Sequence, residues 1–174
     1  GDAFPGKPHH VAVNLSPVLL GDVRLADHFQ QITQRHGVSN ERVMLEITET
    51  SAMKEPTVTL SAATRLRLKG FRLSIDDFGV GYSSLVQLIR MPFSEMKIDI
   101  SFVRAVNTSE EARKVVIAIT GLARSLGLGV TAEGVEGSAV LDFVQTIGCE
   151  MAQGYHIGRP MPGEAASQWQ NLRK

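Results

Sequence analysis

Cysteine is almost missing from this chain: Cys149 stands alone among 174 residues. A lone thiol excludes an internal disulfide and suits a reducing, cytoplasmic setting. Excess charge is missing too, because 18 basic residues balance 18 acidic ones. That balance leaves no electrostatic footprint for nonspecific binding to nucleic acid or to an anionic membrane, so neither is expected as a partner. An anionic substrate would need its positive charge from local groups or metals. Long apolar runs are lacking as well. The longest, Val115 to Val130, is broken by Thr120, Arg124, Ser125 and three glycines, and is too short and too polar to span a bilayer. Gly1 to Pro8 reads as a loop rather than a secretion signal. No G-x-G-x-x-G turn follows the first apolar run, which weakens a dinucleotide-cofactor fold. No Cys/His cluster has zinc-ligand spacing, and His9 and His10 read as surface residues.

What remains is ordinary globular composition, 43% hydrophobic and 21% charged, enough for one cored domain over 1–174. Apolar runs of strand length alternate with helical periodicity. Strands are expected at His10–Leu15, Arg42–Thr48, Phe71–Asp76, Glu95–Ile98, Leu128–Ala132 and Glu150–Gln153. Helices are expected at Val23–Arg35, from about Glu55 to Lys69, at Ser83–Ile89, Ser109–Leu126, Ser138–Ile147, and at the end over Gly163–Leu172. Gly70 is placed just past a helix end. Strands separated by helices imply parallel pairing in βαβ units. Six units are visible, whereas a closed eight-unit barrel needs roughly 250 residues. The reading is therefore α/β, an incomplete β/α barrel with its first strands missing before Gly1. A doubly wound open sheet is the competing architecture. Functional residues after every strand favour a ring, since an open sheet gathers them at one switch point.

Polar residues sit at the ends of these runs. Asp76 and Asp77 are adjacent at a strand end, where paired carboxylates suit two divalent cations and in-line phosphoryl displacement. All-oxygen ligands favour Mg²⁺ or Mn²⁺ over zinc. The plain alternative is that Asp77 caps the next turn and Asp76 is a solvated acid. Glu46, flanked by Leu45 and Ile47, points opposite to them, into the barrel interior, as an ion-pair partner or a ligand. Asn14 offers a neutral oxygen beside it. Lys97 and Asp99 share one face; they form either a local ion pair or a site in which Lys97 orients water or offsets phosphate charge. Glu133, next to Gly134, is a candidate general base or second-metal ligand. The six methionines read as packing or loop residues, and Trp169 as a helix residue covering the exterior.

The segments VNLS, LEITET, DDFGVGYSS, KIDISFV, AEGVE and QGYHIGRP occur in that order between Val13 and Pro160. In this the chain resembles EAL domains, the bacterial phosphodiesterases of the second messenger cyclic-di-GMP. The resemblance implies a modified TIM-like β/α barrel with one antiparallel strand, and hydrolysis of one phosphodiester of cyclic-di-GMP to linear pGpG. It implies a two-metal Mg²⁺ or Mn²⁺ site. Asn14, Glu46 and Asp76 would hold the first metal, and Asp76 with Asp77 the second. Glu133 would lie nearby as base or ligand, and Lys97 would position the attacking water. Gln153, Glu136 and Asp99 would serve the substrate end. The loop of Phe78, Gly79, Gly81, Tyr82 and Ser83, anchored by Glu49, would couple metal binding to a homodimer. A sensor domain upstream is a further implied partner. Val80 departs from the threonine usual in that loop. The name-giving Glu-Ala-Leu tripeptide occurs nowhere in this chain. Its glutamate is a metal ligand in the family, so the alternative function is a catalytically impaired module for dinucleotide binding, dimerisation or regulation. An arc of strands open on both sides is expected to need closure by a second copy, by exchanged elements or by distorted packing.

Overall fold

The computed structural model describes residues 10–81 and 84–166. Six strands form one sheet: β1 (Val11–Asn14), β2 (Val43–Thr48), β3 (Arg72–Phe78), β4 (Glu95–Ile98), β5 (Gly129–Glu133) and β6 (Met151–Gln153). Their spatial order is their sequence order, and all five pairings are parallel. The sheet curls into a half-barrel with β1 and β6 as its edges, an incomplete barrel of the TIM-like kind. Every strand therefore carries its C-terminal end to the same rim.

Among the described residues seven α-helices lie between the strands: α1 (Leu25–Arg35), α2 (Glu49–Lys54), α3 (Pro56–Leu68), α4 (Leu85–Arg90), α5 (Ile100–Ala105), α6 (Glu110–Ser125) and α7 (Ser138–Thr146). The central strands are apolar on their outward face. Leu45, Ile47, Leu73, Ile75, Met96, Ile98, Val130 and Ala132 are buried there and pack with Leu66, Val116, Ala123 and Val144 of the helices in one continuous core. Burying a side chain of this size contributes about 1.5–3 kcal/mol, and that layer holds the arc in shape.

Helix ends follow their sequence signals. Ser109 accepts a hydrogen bond from the Ala112 amide and opens α6. Gly70, with φ 89°, follows Lys69, the C-cap of α3, and takes the left-handed conformation that a Cβ disfavours. Two short helices, α2 and α5, escaped the periodicity because six residues are too few to show it. Each is started by a cap: Thr48 receives the Ser51 amide and Asp99 the Ser101 amide. Helix α1 begins two residues later than expected, since Asp22 Oδ1 accepts the Arg24 amide and makes a turn there. Strand β1, read as buried, is exposed along its length because among the described residues it has a neighbour on one side only. The expected terminal helix is seen over 163–166, and its remainder lies outside the described residues with His9, Trp169, Tyr82 and Ser83.

Candidate active site

Four neighbouring strands place charged side chains on the concave face at the C-terminal rim. Glu46 comes from β2, Asp76 from β3, Lys97 from β4 and Glu133 from β5. Lys97 is their meeting point. Its Nζ lies 2.8 Å from Glu46 Oε1, 3.2 Å from Asp76 Oδ1 and 2.6 Å from Glu133 Oε1. The four side chains are 4%, 8%, 12% and 15% exposed for Lys97, Glu46, Asp76 and Glu133. Three carboxylates around one ammonium leave excess negative charge in a place that water barely reaches, an arrangement costly for stability alone.

The titration behaviour follows from that crowding. Burial pushes the Lys97 ammonium down, but hydrogen bonds to Glu133 and Glu46, with the charges of Glu133 and Asp76, outweigh it and hold the group above the usual lysine range. Lys97 is therefore a fixed cation. Glu133 is shifted up, first by burial and then by the charges of Asp76 and Glu46, against the opposing pull of Lys97. Asp77 is shifted up by burial and by Asp76 and Asp99. Raised carboxyls beside a fixed cation are the environment in which proton acceptors and metal ligands operate.

Asp76 and Asp77 share the site for a local reason. Successive strand residues normally face opposite ways. Here the β3–β4 register shifts between Ile75 and Phe78, and Asp77 has φ 53°, in the left-handed region. The Asp77 amide donates to Asp76 Oδ1 at 3.0 Å. Carboxylate oxygens of Asp76, Asp77 and Glu133 lie within 4.8 Å of one another, a set able to hold a metal ion. The donors are all hard oxygens and two of the three carboxyls are shifted up. That set fits a hard divalent cation such as Mg²⁺ or Mn²⁺.

The turn after Glu133 depends on Gly134. Its φ is 71°, and a Cβ there would fall 2.1 Å from Ile100 Cγ1. Ile100, at the start of α5, thus packs directly on the backbone that carries Glu133. Beyond it, the Val135 amide donates to Gln153 O at 3.0 Å and the His156 amide to Val135 O at 3.0 Å. These bonds tie the rim after β5 to the rim after β6.

Other expected site residues fall in different places. Asn14 ends β1 opposite Glu46 in the register, with an exposed side chain. Gln153 is opposite Glu133 on β6 and is also exposed. Asp99 is buried and caps α5: its Oδ1 accepts the Ser101 amide at 2.8 Å and the Ser101 hydroxyl, and its carboxyl also meets Asp77. Glu136 is drawn to the surface, where Arg104 of α5 pairs with it. Glu49 is buried, and its Oε2 accepts the amides of Gly79 at 2.9 Å and Gly81 at 3.1 Å. Phe78 ends β3 at the margin of the core. Tyr82 and Ser83 lie outside the described residues.

Ile100, Ser101 and Arg104 were not singled out from the sequence. Ser101 carried a usable signal, a serine two residues after Asp99 at a helix start. Ile100 and Arg104 carried none, since their roles depend on which loop α5 packs against.

A family model described as EAL domain matches residues 2–160. The chain is 40% identical over 155 residues to the bifunctional diguanylate cyclase/cyclic di-GMP phosphodiesterase MucR of Pseudomonas aeruginosa, a match covering 89% of this chain and 23% of that protein. The solved MucR phosphodiesterase in complex with c-di-GMP superimposes with a TM-score of 0.86 at 39% identity, over 90% of this chain and 64% of that one. The manganese/cy-diGMP complex of Klebsiella pneumoniae BlrP1 gives a TM-score of 0.82 at 31% identity, over 87% of this chain and 39% of that one. The chain spans less than half the length of the curated relatives it matches.

Proposed function

The chain belongs to the EAL domain family, and on that premise we propose that it takes part in metal-dependent hydrolysis of cyclic-di-GMP to linear pGpG. The observation that carries the reading is the convergence of Glu46, Asp76 and Glu133 on Lys97 Nζ, with Asp77 alongside.

Asn14, Glu46 and Asp76 would hold one divalent cation and Asp76 with Asp77 a second, with Glu133 beside them. Bound Mg²⁺ or Mn²⁺ supplies Lewis-acid polarisation of the phosphoryl group and activation of water. The protein's own contributions follow from its charges. Lys97 stays protonated, so it offsets negative charge on the phosphate as it develops, and the donor now spent on Asp76 would orient the attacking water once that carboxylate serves as a metal ligand. Glu133 would accept the proton that the water loses as its oxygen joins phosphorus. One P–O ester bond breaks, and the departing sugar oxygen takes up a proton. Gln153, Asp99 and Glu136 are assigned to the substrate end of the site.

The loop of Phe78, Gly79, Gly81, Tyr82 and Ser83, held by Glu49, is proposed to link this site to a homodimer contact. Exposed Val80, Leu85, Val86 and Ile89 support that assignment, because they give the loop and α4 an apolar face suited to a second copy. A sensor domain upstream is proposed on the family membership alone. A cytoplasmic location is proposed from the buried free thiol of Cys149. Among the described residues no helix is long and apolar enough to cross a membrane.

The deciding experiment is turnover of cyclic-di-GMP to pGpG with Mg²⁺ or Mn²⁺, beside an Asp76→Ala control. Turnover that the control lacks supports the reading. Dinucleotide binding without turnover replaces it with a receptor function.

A further inference from the structure

The interior of a β/α barrel is ordinarily filled by bulky branched side chains. Beneath Lys97 this one is polar. Glu95 and Lys97 alternate on β4, Ser74 is the register partner of Glu95, and Thr131 is the register partner of Lys97. All four side chains face the same interior space. Glu95 is 3% exposed and Thr131 5%. The Ser74 hydroxyl donates to Glu95 Oε1 at 3.1 Å. Glu95 Oε2 and Thr131 Oγ1 have no hydrogen-bond partner among the described residues.

Two buried orphans on neighbouring strands are costly, at about 1–3 kcal/mol each. Lys97 does not relieve them, since an ammonium has three donors and all three are engaged with Glu46, Asp76 and Glu133. A cation in the space would meet the Lys97 charge from above and the Arg72 charge that Glu95 feels from the other side. An anion would meet Glu95. A neutral molecule that both donates and accepts is what the space suits. Solvent is close by: a hollow of about 340 Å³, lined by Arg72, Ser94, Arg124, Gly129 and Glu150, opens at the N-terminal ends of the same strands.

We propose that Glu95 and Thr131 hold an ordered water inside the barrel beneath Lys97, supplied from the hollow at the opposite end of the strands. The water donates to Glu95 Oε2 and accepts from the Thr131 hydroxyl, with a neighbouring water as its third partner. It also serves Glu95 in either protonation state, which matters because burial shifts that carboxyl up. The assignment does not depend on the hydrolytic reading, and its test requires no turnover.

The test is the near-isosteric Thr131→Val in the full chain, made alone and in a Glu95→Met background. A bridging water that loses one anchor lowers the thermal midpoint by about 2–4 °C for a chain of this size. The same substitution is neutral or stabilising once Glu95→Met has removed the other anchor. A midpoint that rises or stays level with Thr131→Val alone overturns the proposal, because an unpartnered hydroxyl is better replaced by a methyl. An equal fall in both backgrounds also overturns it, as a packing effect. If Glu95→Met does not fold, a high-resolution crystal structure decides. Density within hydrogen-bond distance of Glu95 Oε2 and Thr131 Oγ1, lost in Thr131→Val, upholds the site; no density there overturns it.

Discussion

Lys97 Nζ lies 2.6 Å from Glu133 Oε1, the shortest of its three carboxylate contacts. The pair joins β4 to β5 at the rim and sets the charge balance of the whole cluster. Lys97→Met keeps the length of the side chain and removes the cation that the three buried carboxylates share. Breaking a buried pair from one side costs about 3–5 kcal/mol. Urea unfolding at pH 7 without divalent cations should show that loss. It should shrink as pH falls and the carboxylates take up protons. A loss below about 1 kcal/mol at pH 7 would mean that the carboxylates are hydrated and the cluster is looser than its geometry.

Glu95 gives a pH dependence of defined sign. Burial raises its folded-state carboxyl, opposed by the Ser74 hydroxyl and by the charges of Arg72 and Lys97. A raised acid binds more protons in the folded than in the unfolded state between its two pKa values. Stability from this group is therefore present below the unfolded value, about 4.3, and lost as pH rises through the folded one. Glu95→Gln should flatten that part of the stability profile from about pH 4.3 upward. Matched urea titrations of both proteins read it out, and an unchanged slope would remove Glu95 from the account.

How much of this was legible beforehand depends on which rule each residue obeys. Glu46 and Lys97 follow strand alternation, so their shared interior face could be read from neighbours such as Leu45, Ile47 and Met96. Asp77 breaks alternation, and its arrival beside Asp76 needs the left-handed backbone and the register shift, neither of which has a sequence signature. Glu136 has a partner that no local rule reveals. The family resemblance alone put it at the substrate end, and its pairing with Arg104 rests on a helix too short to read. Strand β1 looked buried because its residues are apolar, and apolar pattern does not reveal how many neighbours a strand has.

Gly134→Ala tests the support beneath Glu133. The substitution needs a left-handed alanine and puts a Cβ 2.1 Å from Ile100 Cγ1. Overpacking of this kind costs about 1–3 kcal/mol, and the backbone conformation about 1 kcal/mol more. Adding Ile100→Ala should recover part of the loss, specifically the share due to the clash. No recovery would place the whole cost in the backbone.

Glu49→Ala removes the acceptor shared by the Gly79 and Gly81 amides. A hydrogen bond to a charged group is worth about 1.5–3 kcal/mol, so local opening should become about tenfold to a hundredfold easier. Hydrogen exchange at those two amides is the direct measure, with α6 amides as the unaffected control. Equal protection before and after would mean that packing against Phe102 and Ile119 holds the loop.

Divalent cations should stabilise the chain and do so more strongly as pH rises. Asp77 and Glu133 are both shifted up and must lose their protons to bind metal, so binding releases protons and affinity falls on acidification. At a concentration near a hundred times the dissociation constant, Mn²⁺ adds about 2.7 kcal/mol to unfolding. That gain should be present at pH 8, weaker at pH 5.5, and strongly reduced at both in Asp77→Asn. Thermal unfolding with and without Mn²⁺ separates this from general ionic screening, for which NaCl at matched ionic strength is the control. A gain independent of pH, or one that Asp77→Asn retains in full, would move the metal away from the Asp76, Asp77 and Glu133 cluster.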